Sequence, residues 1–371
     1  MIDREKNDTP GLVDARTTKR QQPLLTVAFA PDYRAGNPYQ ALLAGALENL
    51  GARVDFFSPK YDRFLPLSRD CHTNRPDILH LHWPEHYFKH GNAFQRKISR
   101  IGYSLDLKFV HATRKLVVTA HNLTAHGAST VIDPLVTRTF DMASLVFAHS
   151  EQAKIEIEQR CRISGERIEV IPHGDLLALL PPLVEPQIAR ERLQLPAGNK
   201  LALVFGRIVP YKGIEELLTF WNRSRLGVSL VVIGDSVAPD FTERLSNLAN
   251  DSKSQIILRA KRVSDEELAL YLSAADCALF NYPSLLTSGS AVLARSAGLP
   301  ILFPSWLHTV DLGEPSPRVF RFDQLDKLFA ELLHRAVDLS RDYASAADWR
   351  SATRWEIVAT KTAEAYRSLL S

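Results

Sequence analysis

Along the chain, short apolar runs alternate with longer segments whose apolar positions recur every three or four residues. In the first half the runs fall at 24–29, 54–57, 78–81, 116–119, 145–148 and 168–171, with helical periodicity at 39–50 and 132–144 between them. Runs of this length, uniformly apolar rather than alternating, predict parallel strands buried on both faces by the intervening helices. The pattern breaks over 176–199, where prolines interrupt it and only a short helix around 188–193 is expected. It resumes at Lys200, with runs at 201–205, 228–233, 255–258, 277–280 and 299–303. The expected architecture is therefore α/β: two doubly wound domains facing each other, with ligands at the carboxyl ends of their strands. The boundaries read as a polar, disordered tail at 1–23, a first domain at 24–175, a linker at 176–199 and a second domain at 200–348. In the final segment, 349–371, Trp349, Trp355, Val358, Thr362, Ala365 and Tyr366 predict one long helix with an apolar stripe.

Composition narrows the class without naming a chemistry. At 371 residues the chain exceeds what one hydrophobic core usually supports. A hydrophobic content of 45% with 23% charged residues is ordinary for a soluble globular protein. The net charge of +3 is too small to argue for nucleic acid. Cys71, Cys161 and Cys277 are scattered and lack metal or disulfide spacing, which fits a reducing cytoplasm. Residues 1–23 have no apolar core for a signal peptide, and no run is long enough to span a bilayer.

Two loops carry the clearest chemistry. The run at 201–205 enters Gly206-Arg207-Ile208-Val209-Pro210-Tyr211-Lys212-Gly213, and a helical pattern leaves it. Arg207 offers a planar fork of donors and Lys212 a mobile point charge, which together suit a diphosphate. Further on, the run at 277–280 leads into Asn281 and Tyr282, then Thr287, Ser288, Gly289 and Ser290 at the start of a short helix. Free amides and the helix dipole favour phosphate there, although Thr287 or Ser288 can equally serve as a cap. Tyr211 and Tyr282 either pack against a nucleotide or wall its pocket.

These motifs together, G-R-x-x-x-Y-K-G, S-D-E-E-L-x-x-Y-x-x-A-A-D from Ser264 to Asp276 and T-S-G-S-A-x-L-A-x-S-A-G-L-P from Thr287 to Pro300, resemble nucleotide-sugar glycosyltransferases of the GT-B fold. Asn37-Pro38-Tyr39-Gln40, His80-Leu81-His82-Trp83-Pro84-Glu85, Thr119-Ala120-His121-Asn122 and Ile171-Pro172-His173-Gly174 extend the likeness through the first half. The type most similar is the xanthan-type exopolysaccharide β-mannosyltransferase. The resemblance implies a terminal helix crossing back onto the first domain, a nucleotide-sugar donor (GDP-mannose) as substrate, no metal and no separate cofactor. It also implies a polyprenyl-diphosphate-linked glycan as acceptor. The retaining enzymes of the most similar large family carry two glutamates where this chain has Leu285 and Leu293. That departure favours inversion of the sugar. A nucleotide-sugar epimerase of the same fold and a non-catalytic nucleotide-sugar or glycan-binding protein remain the alternatives.

An inverting step needs a base on the first-domain side. Glu85, beyond the rigid Trp83-Pro84 step, and His121 are the rival candidates, with His126 nearby. Asn37, Tyr39, His82, Trp83 and Asn122 border the acceptor side, and of His80 and His82 at least one reads as a buried, hydrogen-bonded histidine. A zinc site built from these histidines with His121 is disfavoured, because H-x-H with a remote histidine is common by chance. Between 86 and 115, Lys89, Arg96, Lys97, Arg100, Lys108, Arg114 and Lys115 face a single Asp106, and Phe94, Ile98, Ile101 and Leu105 recur at helical spacing. Such a helix either lies on an anionic membrane surface or packs on its own core with a solvated basic face. With the resemblance, the expected place is the cytoplasmic side, peripheral on the inner face of the membrane.

Overall fold

Val27 to Ala30 are wholly buried, as strand β1 (Thr26–Ala30) must be if it lies inside a sheet covered on both faces. The computed structural model describes residues 25–58, 64–124, 131–236, 238–250, 255–313 and 315–371, so the expected tail at 1–23 and His126 lie outside it. β1 joins β2 (Arg53–Phe56), β3 (Ile78–His82), β4 (Lys115–Thr119), β5 (Leu145–Ala148) and β6 (Ile168–Val170) in a parallel sheet of order β2-β1-β3-β4-β5-β6. The helices between these strands are α1 (Tyr39–Asn49), α2 (Pro66–Asn74), α3 (Ala93–Thr113), α4 (Pro134–Met142) and α5 (Glu151–Cys161).

The linker helix α6 (Pro186–Leu193) is pinned by buried Arg190, which donates to the carbonyls of Ala274 and Asn199 and pairs with Asp276 at 2.7 Å. The second parallel sheet contains β7 (Lys200–Phe205), β8 (Val228–Ile233), β9 (Ile256–Arg259), β10 (Cys277–Leu279), β11 (Ile301–Pro304) and β12 (Val319–Phe322), in the order β12-β11-β10-β7-β8-β9. Its helices are α7 (Ile214–Arg223), α8 (Pro239–Ala249), α9 (Asp265–Ala274), α10 (Gly289–Ser296) and α11 (Lys327–Asp338). Strand β12 escapes the sequence reading because it is an edge strand. Only alternate residues are buried, so it leaves no continuous apolar run.

The chain end corrects one expectation. Instead of one helix there are two, α12 (Tyr343–Ala352) and α13 (Trp355–Leu370). Thr353 returns its hydroxyl to the Trp349 carbonyl, Arg354 is extended, and the Thr353 carbonyl accepts from the Asp175 amide at 2.9 Å. The break separates the two tryptophans. Trp349 stays with the second sheet under the Arg295 guanidinium, whereas Trp355 lies on Gly174 and donates to the Asp175 carbonyl at 2.7 Å. A Cβ at position 174 would meet the Trp355 ring at 2.4 Å, so only glycine fits. Val358, Ala359, Ala363 and Tyr366 of α13 then share an apolar core with Tyr39, Leu43 and Leu47 of α1, so the last helix crosses back onto the first sheet.

Candidate functional site

In each sheet the strand order turns at one point. The chain steps from β1 outward to β2 and then back to β3 on the other side. In the second sheet β7 likewise separates β8 from β10. Crevices at the carboxyl ends of such switch points are where open α/β sheets bind ligands. The loops after β7 and β10, and those after β1 and β3, therefore frame the site.

On the second-sheet side the expected residues converge. Gly206 (φ 103°) and Gly213 (φ 63°) adopt left-handed conformations at the two ends of the cationic loop. A Cβ on Gly206 would come within 2.9 Å of Ser290 Oγ and 3.1 Å of Lys212 Nζ, so these groups surround one point. At Gly213 it would stand 2.4 Å from the Asn281 carbonyl oxygen, while Asn281 Nδ2 donates to the Gly213 carbonyl at 3.0 Å, locking the two loops together. Lys212 Nζ lies 5.3 Å from the Tyr282 ring centroid. Burial, aided by the charge of Arg207, pushes the Lys212 ammonium down to about 8. Arg207 itself is exposed, and its charge partly offsets the rise that burial causes in the Tyr211 pKa. Tyr282 is buried, and burial raises its hydroxyl pKa, a rise that nearby Ser288 and Ser290 partly offset. Ser288 caps α10, accepting from the Ala291 amide at 3.2 Å, and half-buried Thr287 precedes it. Leu293 and Leu285, at the positions of the missing glutamates, belong to or pack against the second core.

On the first-sheet side the structure gathers an aromatic cluster. His80 bridges Tyr366 (2.6 Å) and Thr119 (2.7 Å), which makes it the structural histidine of the H-x-H pair and ties α13 to β3. His82 Nδ1 is 3.1 Å from His121 Nε2, and His121 Nδ1 is 3.5 Å from His149 Nε2. Trp83, held at φ 42°, stacks on His121 with centroids 4.2 Å apart and planes 13° apart. Burial lowers the pKa of His80, His82, His121 and His173, and takes His149 down to about 3, so the cluster is neutral. Tyr39, expected on the acceptor side, is only 1% exposed: its ring is the hub touching His82, His121, His149, His173 and Trp355 edge-on. The histidines and Trp355 of α13 surround it. Asn37 accepts from the Tyr39 amide at 2.9 Å and so starts α1, and Asn122 is half-buried beside His121. His149, His173 and Trp355 were not expected here. The rule that placed His121 after a strand would have found His149, the first residue past β5.

The two halves meet. His173 Nε2 lies 3.9 Å from where a Cβ on Gly289 would stand, at the start of α10. Ser150 Oγ donates to the Thr309 carbonyl at 2.6 Å, Thr309 donates to the Leu285 carbonyl at 2.8 Å, and Leu286 packs into the first core. Arg207 is close enough to His86 to help lower its pKa, after burial and the charge of His90. One residue earlier, Glu85 sits on a short 3-10 turn (Pro84–Tyr87), and burial raises its carboxyl pKa.

Helix α3 packs on its own core, but not through the expected stripe. Its core face is Tyr103, Asp106, Leu107 and Val110, not the apolar stripe. The stripe points outward: Phe94 is 71% exposed, Ile101 55% and Phe109 54%, with Ile98 and Leu105 between them. Arg96, Lys97 and Lys108 are exposed beside it, whereas Arg100 is committed to Asp133 in a two-point ion pair. Among the described residues no helix is long and apolar enough to cross a membrane.

Two parallel six-stranded α/β sheets and a last helix returning to the first give the architecture of GT-B glycosyltransferases. Residues 39–174 match the family described as Glycosyltransferase Family 4. The chain is 26% identical over 287 residues to GDP-mannose:glycolipid 4-beta-D-mannosyltransferase of Xanthomonas campestris pv. campestris, covering 76% of this chain and 74% of the relative. Among solved structures it is similar to sucrose-phosphate synthase from Thermosynechococcus elongatus, with a TM-score of 0.71 at 17% identity, covering 94% and 99% of the two chains. Anabaena HepE in complex with UDP superposes with a TM-score of 0.64 at 14% identity, covering 93% and 100%.

Proposed function

We propose that this protein transfers a hexose, mannose from GDP-mannose, with inversion to a polyprenyl-diphosphate-linked glycan during exopolysaccharide synthesis. The observation that carries the reading is the half-buried Lys212, its ammonium close to Ser290 and Gly206 beside the Arg207 charge and the capped start of α10. A cation whose pKa is depressed by desolvation and a neighbouring like charge gains most from an arriving diphosphate. As the sugar–phosphate bond breaks, the growing negative charge would be met by Arg207, Lys212 and the α10 amides. On the opposite lip Glu85 would take the proton of the attacking hydroxyl, and its raised pKa brings it nearer the working pH of a general base. The relative named for GDP-mannose and a glycolipid supports the choice of donor and acceptor.

The acceptor class also draws on α3. An exposed row of five large apolar side chains with Arg96, Lys97 and Lys108 alongside matches an anionic bilayer surface, into which the apolar row would dip. This would bring a membrane-bound acceptor to the cleft from the cytoplasmic face. The deciding experiment is a donor screen with membrane extract or a synthetic polyprenyl-diphosphate glycan, followed by product anomer analysis. A β-mannoside from GDP-mannose is expected, with activity surviving EDTA. Transfer from a UDP-sugar alone, or an α-linked product, overturns the corresponding half of the reading.

A further inference from the structure

His149 has both ring nitrogens engaged and is only 4% exposed. Its Nδ1 stands 2.9 Å from the Ile171 carbonyl, which can only accept, so the hydrogen sits on Nδ1. In a neutral imidazole the other nitrogen must then be an acceptor. His149 Nε2 faces His121 Nδ1 at 3.5 Å, and the hydrogen between them therefore belongs to His121. The same step makes His121 Nε2 the acceptor for His82 Nδ1 at 3.1 Å. One backbone carbonyl thus sets the direction of three hydrogen bonds in series. The series ends on His82 Nε2, a buried lone pair with no hydrogen-bond partner among the described residues.

That end lies at the site. His82, the last residue of β3, is past the last pairing with β1 (Ala30 with Leu81) and still paired with Thr119 of β4, wholly buried beside Trp83 at the carboxyl end of the sheet. The next residue, Trp83, occupies a left-handed conformation uncommon for a bulky side chain, and its ring holds His121 in plane. A buried acceptor without a donor is costly, and such groups in native folds call for an explanation in terms of function.

We propose that His149 is a positioning residue which, acting through His121, holds His82 with an accepting Nε2 reserved for a hydroxyl group of the sugar substrate. The substrate class rests on the glycosyl-transfer reading above, whereas the tautomers follow from geometry alone. A lone pair in this setting selects an O–H donor and repels phosphate or carboxylate oxygens, so it reads the sugar and not the nucleotide's charge.

The test starts from nitrogen-15 NMR of the full chain labelled at histidine, assigned with single-histidine variants. His82, His121 and His149 are each expected as the Nδ1–H tautomer, and GDP-mannose should move the His82 Nε2 resonance in the direction of hydrogen bonding. An Nε2–H form of His121 or His82 in the resting protein overturns the proposal, as does a His82 resonance indifferent to GDP-mannose in a protein that turns it over. In transfer assays His149→Leu should lower kcat/KM roughly 10- to 100-fold, the size of the loss when a group that orients a metal-bound histidine is removed. His149→Gln can place a carbonyl oxygen where Nε2 was, and should recover to within about threefold of wild type by restoring that acceptor. Equal turnover in wild type and His149→Leu, or equal losses in the Leu and Gln variants, counts against the relay. Absence of GDP-mannose turnover in the wild type counts against the functional reading alone, because the tautomers are read without it.

Discussion

Lys212 shows how much one residue's setting adds to its type. The sequence offers a lysine beside an arginine, and the fold leaves it half-buried, with desolvation and the Arg207 charge pushing its pKa down to about 8. Because that value lies below the lysine's ordinary one, the charged form is complete only at lower pH. Affinity for GDP should therefore weaken as pH rises through about 8, and Lys212→Ala should flatten that dependence; calorimetric titration across roughly pH 7 to 9 measures both. Turnover of Lys212→Ala or Arg207→Ala should fall about 10²–10³-fold, the usual loss for a donor to transition-state charge. On the other lip, Glu85→Gln keeps shape and removes basicity. Transfer should drop by about 10²–10⁴-fold while GDP binding survives, and wild-type transfer in that variant would exclude Glu85 as base.

At the scale of elements, α3 and α13 carry similar apolar spacing but use it in opposite ways. The α13 stripe is buried against α1, and Tyr366 reaches His80 through it at 2.6 Å. Tyr366→Phe should strand a buried imidazole nitrogen and cost about 1–3 kcal/mol in urea unfolding. The α3 stripe is exposed, so Phe94→Ser with Ile101→Ser should leave the unfolding midpoint nearly unchanged and yet reduce flotation with anionic liposomes. Reversing Lys97 and Lys108 should act in the same direction, and salt should mimic it by screening. Arg100 is the wrong residue to reverse, because its loss would leave Asp133, the cap of α4, without its ion pair. Flotation unaffected by any of these changes would leave the stripe without a membrane role.

At the scale of the molecule, the cleft exists because the chain crosses it twice, once at the linker and once at Thr353. The Thr353 carbonyl, the Asp175 backbone and the Trp355 indole form a single junction over Gly174. Ending the chain after residue 352 should uncover Tyr39, Leu43 and Leu47, and the loss should be felt first in the sheet that α13 covers. Limited proteolysis should then degrade the first half while the second survives. Cleavage spread evenly over both halves would show that α13 stabilises the whole body and not one sheet.

The apolar runs determined the two parallel sheets, because a strand buried on both faces must be apolar at every position. They could not reveal β12, whose exposed alternate residues leave no run, nor the break after Ala352. The nearness of Lys212 and Ser290 in the fold was foreshadowed in sequence, where glycine, charge and a helix start coincide. The histidine cluster was legible only in part. His82 and His121 stood in recognisable places after strands, but the direction of their hydrogen bonds depends on a carbonyl at Ile171, far along the chain. Periodicity likewise marked the amphipathic row of α3 without saying which face the core would take. Sequence records which residues are apolar or charged, whereas burial depends on what the rest of the chain brings alongside. Packing gave the inner face of α3 to Tyr103, Leu107 and Val110 and left Phe94, Ile101 and Phe109 in the open.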